Sequence, residues 1–177
     1  MAKIDDAVFE QELFPLLSKL KTNCMHNKIP LFISIVLNNK PKKTTNYFNA
    51  IIVPAVVNRE LENDLFSQYI RVWNGYIVSL PVTKTEDIPT YNAEIKKHVI
   101  FEEEIKPILT DIKAFCEKKK APFFISLSLE HGDGAAEYLT CALSPEFTKV
   151  TLADDKITKF LKIHEGYVVT ASDVYEI

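Results

Sequence analysis

The chain has 177 residues, of which 47% are apolar and 25% charged, and its formal net charge is −3. This composition is typical of a soluble globular protein and excludes both a disordered tail and a strongly basic nucleic-acid binder. No run of about 18 apolar residues occurs, which argues against a membrane-spanning helix.

The sequence repeats itself. At a constant offset of 92 residues, segment 9–38 aligns without gaps with segment 101–130. After a loop that is one residue shorter in the second copy the offset becomes 91, and about 19 of roughly 62 aligned positions are identical. Two copies are too few and too long for a solenoid, so the sequence predicts two related units around a pseudo-twofold axis.

Each copy begins with an amphipathic helix. Its apolar stripe consists of Leu13, Leu16, Leu17, Leu20 and Cys24 in the first copy, and of Ile105, Ile108, Leu109, Ile112 and Cys116 in the second. Pro15 and Pro107 leave two alternatives open. Either the helix begins just before the proline, where the missing N–H costs nothing, or it begins earlier, near Asp6 and Asn92, and is kinked at the proline.

A strand follows Pro30 and Pro122 in the two copies. Residues 31–37 and 123–129 alternate with period two and carry one strongly apolar face, which predicts a half-buried antiparallel strand. A second strand is predicted over 47–53 and 138–143, where Pro54 and Pro145 end it.

A second helix and a short strand complete each copy. Asn63 or Asp64 caps the helix in the first copy, and Asp154 or Asp155 caps it in the second. Gly75 and Gly166 stand where a helix end requires a left-handed residue. The closing strands are predicted over 76–80 and 167–170.

These elements predict an α+β fold, a tandem duplication of an α-β-β-α-β unit packed around a pseudo-twofold axis, with antiparallel sheets and helices on one face. The predicted division is a first unit over 1–83, a linker over 84–97 and a second unit over 98–177. Because a small sheet alone leaves unpaired edges, we expect the halves to pack as one globular body.

The repeat also indicates which reactive residue types serve packing. Cys24 and Cys116 lie on the apolar stripes, and Cys141 aligns with Ala50, so all three are predicted to be packing residues. His164 takes the place of Trp73, which predicts a partly buried, hydrogen-bonded imidazole.

The loops between the paired strands differ in chemistry. The first loop carries Lys40, Lys42 and Lys43, whereas the second carries His131 and Asp133 among glycines. Because unlike loops at equivalent tips favour different partners, these five residues are the predicted partner-binding residues. His131 and Asp133 would also suit acid–base chemistry, which is a weaker hypothesis of a hydrolase; a plain hairpin loop is the favoured interpretation.

The motifs of common enzymes are missing. No phosphate-binding glycine loop, no nucleophile elbow and no zinc-ligand spacing occurs, so the sequence predicts no catalytic residue, no metal and no cofactor. The leading hypothesis is therefore a non-enzymatic protein–protein interaction module, that is, an adaptor, an inhibitor or a regulatory subunit. The alternative is a small-ligand or nucleic-acid binding protein that uses the groove between the halves or the lysine-rich loop.

The expected surroundings of the chain follow from its start and its cysteines. Residues 1–6 lack the apolar core of a secretory signal, and three cysteines cannot all pair, so a cytoplasmic location is expected. A protein partner is expected and a membrane partner is not. An exposed strand edge would also allow a homodimer.

Overall fold

The computed structural model of the chain describes residues 3–40, 44–61, 64–75, 77–79, 99–130 and 136–170. We call the part before the linker predicted at 84–97 the first half, and the part after it the second half. The linker itself and the tips of both strand-connecting loops lie outside the described residues.

The first helical region begins well before its proline. It consists of α1 (Asp6–Val8), a π-helical turn (Phe9–Leu13) and α2 (Phe14–His26). Asp5 caps it, because its carboxylate accepts a hydrogen bond from the Val8 N–H at 2.9 Å. Of the two alternatives for the proline, the structure therefore shows the earlier start, with the cap one residue before Asp6.

A widened turn precedes the proline in both halves. Proline has no N–H and its ring collides with the carbonyl four residues earlier, so the chain opens into a π turn just ahead of it. The Phe14 N–H reaches back to the carbonyl of Phe9, and the Lys106 N–H to that of Phe101. The second π turn spans Phe101–Ile105, and Asn92 lies outside the described residues.

The remaining elements follow in chain order. They are β1 (Leu31–Lys40), β2 (Thr44–Ile52), a 3₁₀ turn (Pro54–Val57), α3 (Leu65–Trp73), β3 (Ile77–Ser79), α4 (Lys106–Lys119), β4 (Phe123–Glu130), β5 (Ala136–Leu143), α5 (Pro145–Thr148), α6 (Lys156–His164) and β6 (Val168–Thr170). The turn at Pro54 and helix α5 were not predicted. In each, the proline that ends the strand starts a single helical turn, because its fixed φ suits a first helical position.

The chain is a mixed α+β protein with a four-stranded antiparallel sheet. Its strand order is β2-β1-β4-β5, so one strand from each half lies in the centre, and Ile33 stands opposite Ile125. Strands β3 and β6 form a separate antiparallel pair in which Val78 stands opposite Val169.

The prediction of helices on one face is wrong, and so is that of a half-buried strand. One apolar cluster joins α2 and α4 to one face of the sheet, and a second joins α3 and α6 to the other face. Both clusters are anchored by β1 and β4, because Ile33 and Ile125 belong to the first while Phe32 and Phe124 belong to the second. Even Ser34, Ser126 and Ser128 on these strands are buried, since helices cover both faces.

Polar contacts fix the ends of α3 and α6. Asp64 and Asp155 accept hydrogen bonds from backbone N–H groups of the first turn, which decides the predicted choice of caps. Gly75 and Gly166 have φ of +97° and +102°, which confirms the left-handed helix ends.

The second contact at each helix start comes from the other half. The Tyr138 hydroxyl accepts from the Leu65 N–H of α3 at 3.1 Å, and the Tyr47 hydroxyl accepts from the Lys156 N–H of α6 at 3.0 Å. Tyr47 and Tyr138 are aligned positions of the repeat, so each half supplies a cap to the other.

Candidate functional site: two surfaces of the second half

The residues predicted to bind a partner fall mostly outside the described chain. Lys40 is the last residue of β1, is exposed and stands opposite Thr44 of β2. Lys42, Lys43, His131 and Asp133 lie outside the described residues. Their role remains a prediction.

Cys24 and Cys116 are buried free thiols. Burial raises the pKa of Cys24 to about 12 and raises that of Cys116 as well, so both stay protonated at neutral pH. Their prediction as packing residues is confirmed.

His164 is a partly buried imidazole, as predicted. Its Nδ1 lies 3.2 Å from the Thr140 hydroxyl oxygen. Burial lowers the pKa of His164, and the nearby Glu165 carboxylate raises it by less. The side chain is therefore neutral at neutral pH and packs in the place that Trp73 takes in the first half.

The first candidate surface is a cleft between α4 and β5, which we call the α4–β5 cleft. It has a volume of about 190 Å³ and an apolar floor that consists of Phe101, Leu109, Ile125, Leu127, Leu139 and Cys141. Thr140 of β5 also lines the cleft, together with Lys106, Thr110 and Lys113 of α4. Their spacing of four and three residues places these side chains along one edge of the helix.

Aromatic rings pack together in the aligned region of the first half. Phe9 packs against Phe14 and Phe48, with ring centroids 5.8 and 5.3 Å apart, and Phe14 is 47% exposed. In the second half Lys106 takes the place of Phe14 and Leu139 that of Phe48. A cationic side chain and a smaller apolar one thus replace two rings at the positions that line the cleft.

The thiol of Cys141 lies in the wall of the cleft. Burial raises its pKa, the Lys113 ammonium lowers it by less, and the Glu117 carboxylate raises it. The exposed Lys113 is thus within electrostatic reach of the cleft wall.

The second candidate surface is the Phe147 corner, which consists of Glu117, Lys120, Phe147, Thr148 and Lys149. These residues line an open depression of about 340 Å³. The Phe147 side chain is 69% exposed, and the aligned Val56 of the first half is 60% exposed.

The backbone of the corner is well held despite this exposure. The Ser144 hydroxyl accepts from the Phe147 N–H at 3.0 Å, and the Thr148 hydroxyl donates to the Ser144 carbonyl at 3.1 Å. Lys149 closes the turn at a φ of +56°, and the Val150 N–H bonds the Pro145 carbonyl at 3.0 Å. The aromatic side chain is thus presented by a fixed turn.

Both surfaces offer apolar contact and lysine charge. Within the part of the chain that the structure describes, no group of three or more His, Cys, Asp and Glu residues is placed to hold a metal ion. The sequence prediction missed both surfaces, although the repeat carries a signal for the cleft, namely the exchange of Phe14 for Lys106 and of Phe48 for Leu139.

Comparisons with protein-family models, with curated proteins and with solved structures found no match to this chain. None of the helices in the described ranges has the length and apolar character needed to cross a membrane.

Proposed function

We propose that this chain is a non-enzymatic interaction module of the cytoplasm, built by tandem duplication around a pseudo-twofold axis, and that its Phe147 corner binds an acidic segment of a partner protein. The observation that carries the functional part is the 69% exposed Phe147 on a fixed turn between Lys120 and Lys149.

The pairing of the strands supports the duplication. The β1–β4 pair is centred on Ile33 and Ile125, and the β3–β6 pair on Val78 and Val169. In both pairs the central residues are aligned positions of the repeat, as expected where a twofold axis crosses a strand pair. The reciprocal caps from Tyr47 and Tyr138 have the same symmetry.

The chemistry of Phe147 supports a protein partner. Exposed aromatic side chains that become buried on association contribute much of the binding energy of protein interfaces. Because hydrogen bonds already hold the Phe147 turn, binding loses little backbone entropy.

The charges at the corner indicate the kind of partner. Lys120 and Lys149 line the depression together with Glu117, which leaves one positive charge in excess among the lining residues. This excess of positive charge favours a segment in which acidic side chains flank an apolar one. Free thiols at Cys24 and Cys116 agree with a reducing compartment.

A displayed peptide library tests the proposal with a defined probe. The library presents peptides rich in Asp and Glu around one apolar residue, and binders are selected on the intact protein. We expect Phe147→Ala and Lys149→Asn each to lower the affinity for the selected peptides by about tenfold or more. Lys149→Asn suits the left-handed backbone, because Asn58 occupies the aligned position at a φ of +57°.

The first half supplies the matched controls. Val56→Ala and Lys28→Gln change the aligned corner and should leave peptide affinity within about twofold. Peptides that bind Phe147→Ala as tightly as the wild type would overturn the proposal, as would oligonucleotides that compete for the corner in place of acidic peptides.

A further inference from the structure

We propose that the α4–β5 cleft binds a small organic carboxylate, whose phenyl ring or short acyl chain enters the cleft while its carboxylate pairs with Lys106 and Lys113. This inference goes beyond the proposed function, since the cleft and the Phe147 corner share no lining residue. The cleft also differs from the groove between the halves that the sequence suggested.

The apolar floor determines the apolar part of the ligand. Phe101, Leu109, Ile125 and Leu127 are buried, and Leu139 and Cys141 are half-buried beside them. An apolar cavity of about 150 Å³ holds one benzene molecule. The cleft, at about 190 Å³, therefore accommodates a ring with one or two further carbons, or an acyl chain of similar volume.

The rim of the cleft, formed by Lys106, Thr110 and Lys113, determines the charged part of the ligand. Lys106 and Lys113 are two helical turns apart on the same side of α4, with the Thr110 hydroxyl between them. A carboxylate at the mouth would meet two exposed ammonium groups, and hydrogen bonds between charged groups are stronger than those between neutral ones.

The lysines are available for such a ligand. Lys106 contacts Glu102 at 3.3 Å, but the two side chains are 58% and 32% exposed, and exposed ion pairs of this kind contribute little. Lys113 acts electrostatically on the Cys141 thiol in the cleft wall. A ligand carboxylate can therefore recruit both ammonium groups at small cost.

The first half differs at two of the cleft positions. Phe14 and Phe48 stand where the second half has Lys106 and Leu139, and both rings pack against Phe9. The combination of a cationic Lys106 with the smaller Leu139 therefore belongs to the second half.

Octanoate, phenylacetate and the neutral 1-octanol are the probes. We expect the two acids to shift the NMR signals of Leu109 and Leu139, and octanoate to bind about tenfold tighter than 1-octanol. Octanoate should also slow alkylation of Cys141 by iodoacetamide, a reaction from which the buried Cys24 and Cys116 are protected.

Two kinds of variant separate the floor from the rim. Leu139→Phe introduces the residue type of the aligned Phe48. It should lower the affinity for both octanoate and octanol by about tenfold or more, because the larger ring takes up space in the cleft. The double variant Lys106→Gln, Lys113→Gln should lower the affinity for octanoate by about tenfold and leave the affinity for octanol unchanged. Lys21→Gln, at the position aligned with Lys113, is the control and should change neither affinity.

Three results would overturn the inference. The first is absence of binding of both acids at millimolar concentration. The second is equal affinity for octanoate and octanol in the wild type. The third is an unchanged octanoate affinity in the lysine double variant, which alters exposed side chains only and so decides the matter even where Leu139→Phe does not fold.

Discussion

At the scale of single residues, burial sets the protonation state of the side chains. His164 is the clearest case, because its ring replaces the aligned Trp73 and packs at the end of α6 with Thr140 as polar neighbour. Burial keeps its pKa below the ordinary value near 6.5, so the folded protein prefers the neutral ring.

This pKa shift predicts a loss of stability in acid. A group whose pKa is lower in the folded state takes up its proton more readily when unfolded, so its stabilising effect is complete above pH 6.5 and is lost as the pH falls through the folded pKa. We expect the free energy of unfolding of the wild type to fall more steeply below pH 6.5 than that of His164→Gln. Urea titrations at several pH values measure both, and parallel curves would contradict the assignment.

At the scale of elements, the starts of α3 and α6 depend on side chains that are distant in sequence. Asp64 and Asp155 cap them locally, whereas Tyr138 and Tyr47 reach each helix from the other half. The two tyrosine contacts differ in exposure, because the Tyr138–Leu65 bond is buried and the Tyr47–Lys156 bond is partly buried.

We therefore expect unequal costs when the hydroxyls are removed. Tyr138→Phe leaves the buried N–H of Leu65 without this acceptor and should lower the free energy of unfolding by about 1–2 kcal/mol. Tyr47→Phe should cost less, because the N–H of Lys156 also donates to the Asp154 carbonyl at 3.0 Å and keeps that acceptor. Chemical denaturation of the two variants gives the comparison, and a Tyr138→Phe variant as stable as the wild type would refute the role of this bond.

At the scale of the whole molecule, the halves share one sheet and both apolar clusters. Strand β1 pairs with β4, and aromatic rings from both halves interlock, as in Phe32 and Phe160 with centroids 4.9 Å apart. Unfolding one half would leave the central strand of the other without its partner along one edge and would remove part of the apolar cover from each face.

This arrangement predicts a single unfolding transition. A Cys24→Ala, Cys141→Ala variant keeps one buried thiol, Cys116, in the second half, and the single tryptophan, Trp73, lies in the first half. We expect thiol exposure and tryptophan fluorescence to change at the same urea concentration, since coincident probes indicate two-state unfolding. Separate midpoints would show that the halves unfold independently.

Most of the local structure follows from the amino-acid sequence alone. Apolar spacing predicted the helices and strands, and capping side chains and glycines predicted the helix ends to within one residue, because these signals act within a few residues. The sequence left open whether the first helix begins just before Pro15 or earlier, near Asp6, because both starts satisfy the same local chemistry.

Which surfaces of each element are covered, and which stay open to solvent, depends on tertiary packing. The alternation in 31–37 predicted one buried face, and it gave no sign that helices also cover the face that carries Phe32. The caps from Tyr47 and Tyr138, the opening at Leu139 and the exposure of Phe147 each depend on residues far apart in the chain. Burial and access to solvent are properties of the packed molecule, and no spacing along the sequence encodes them directly.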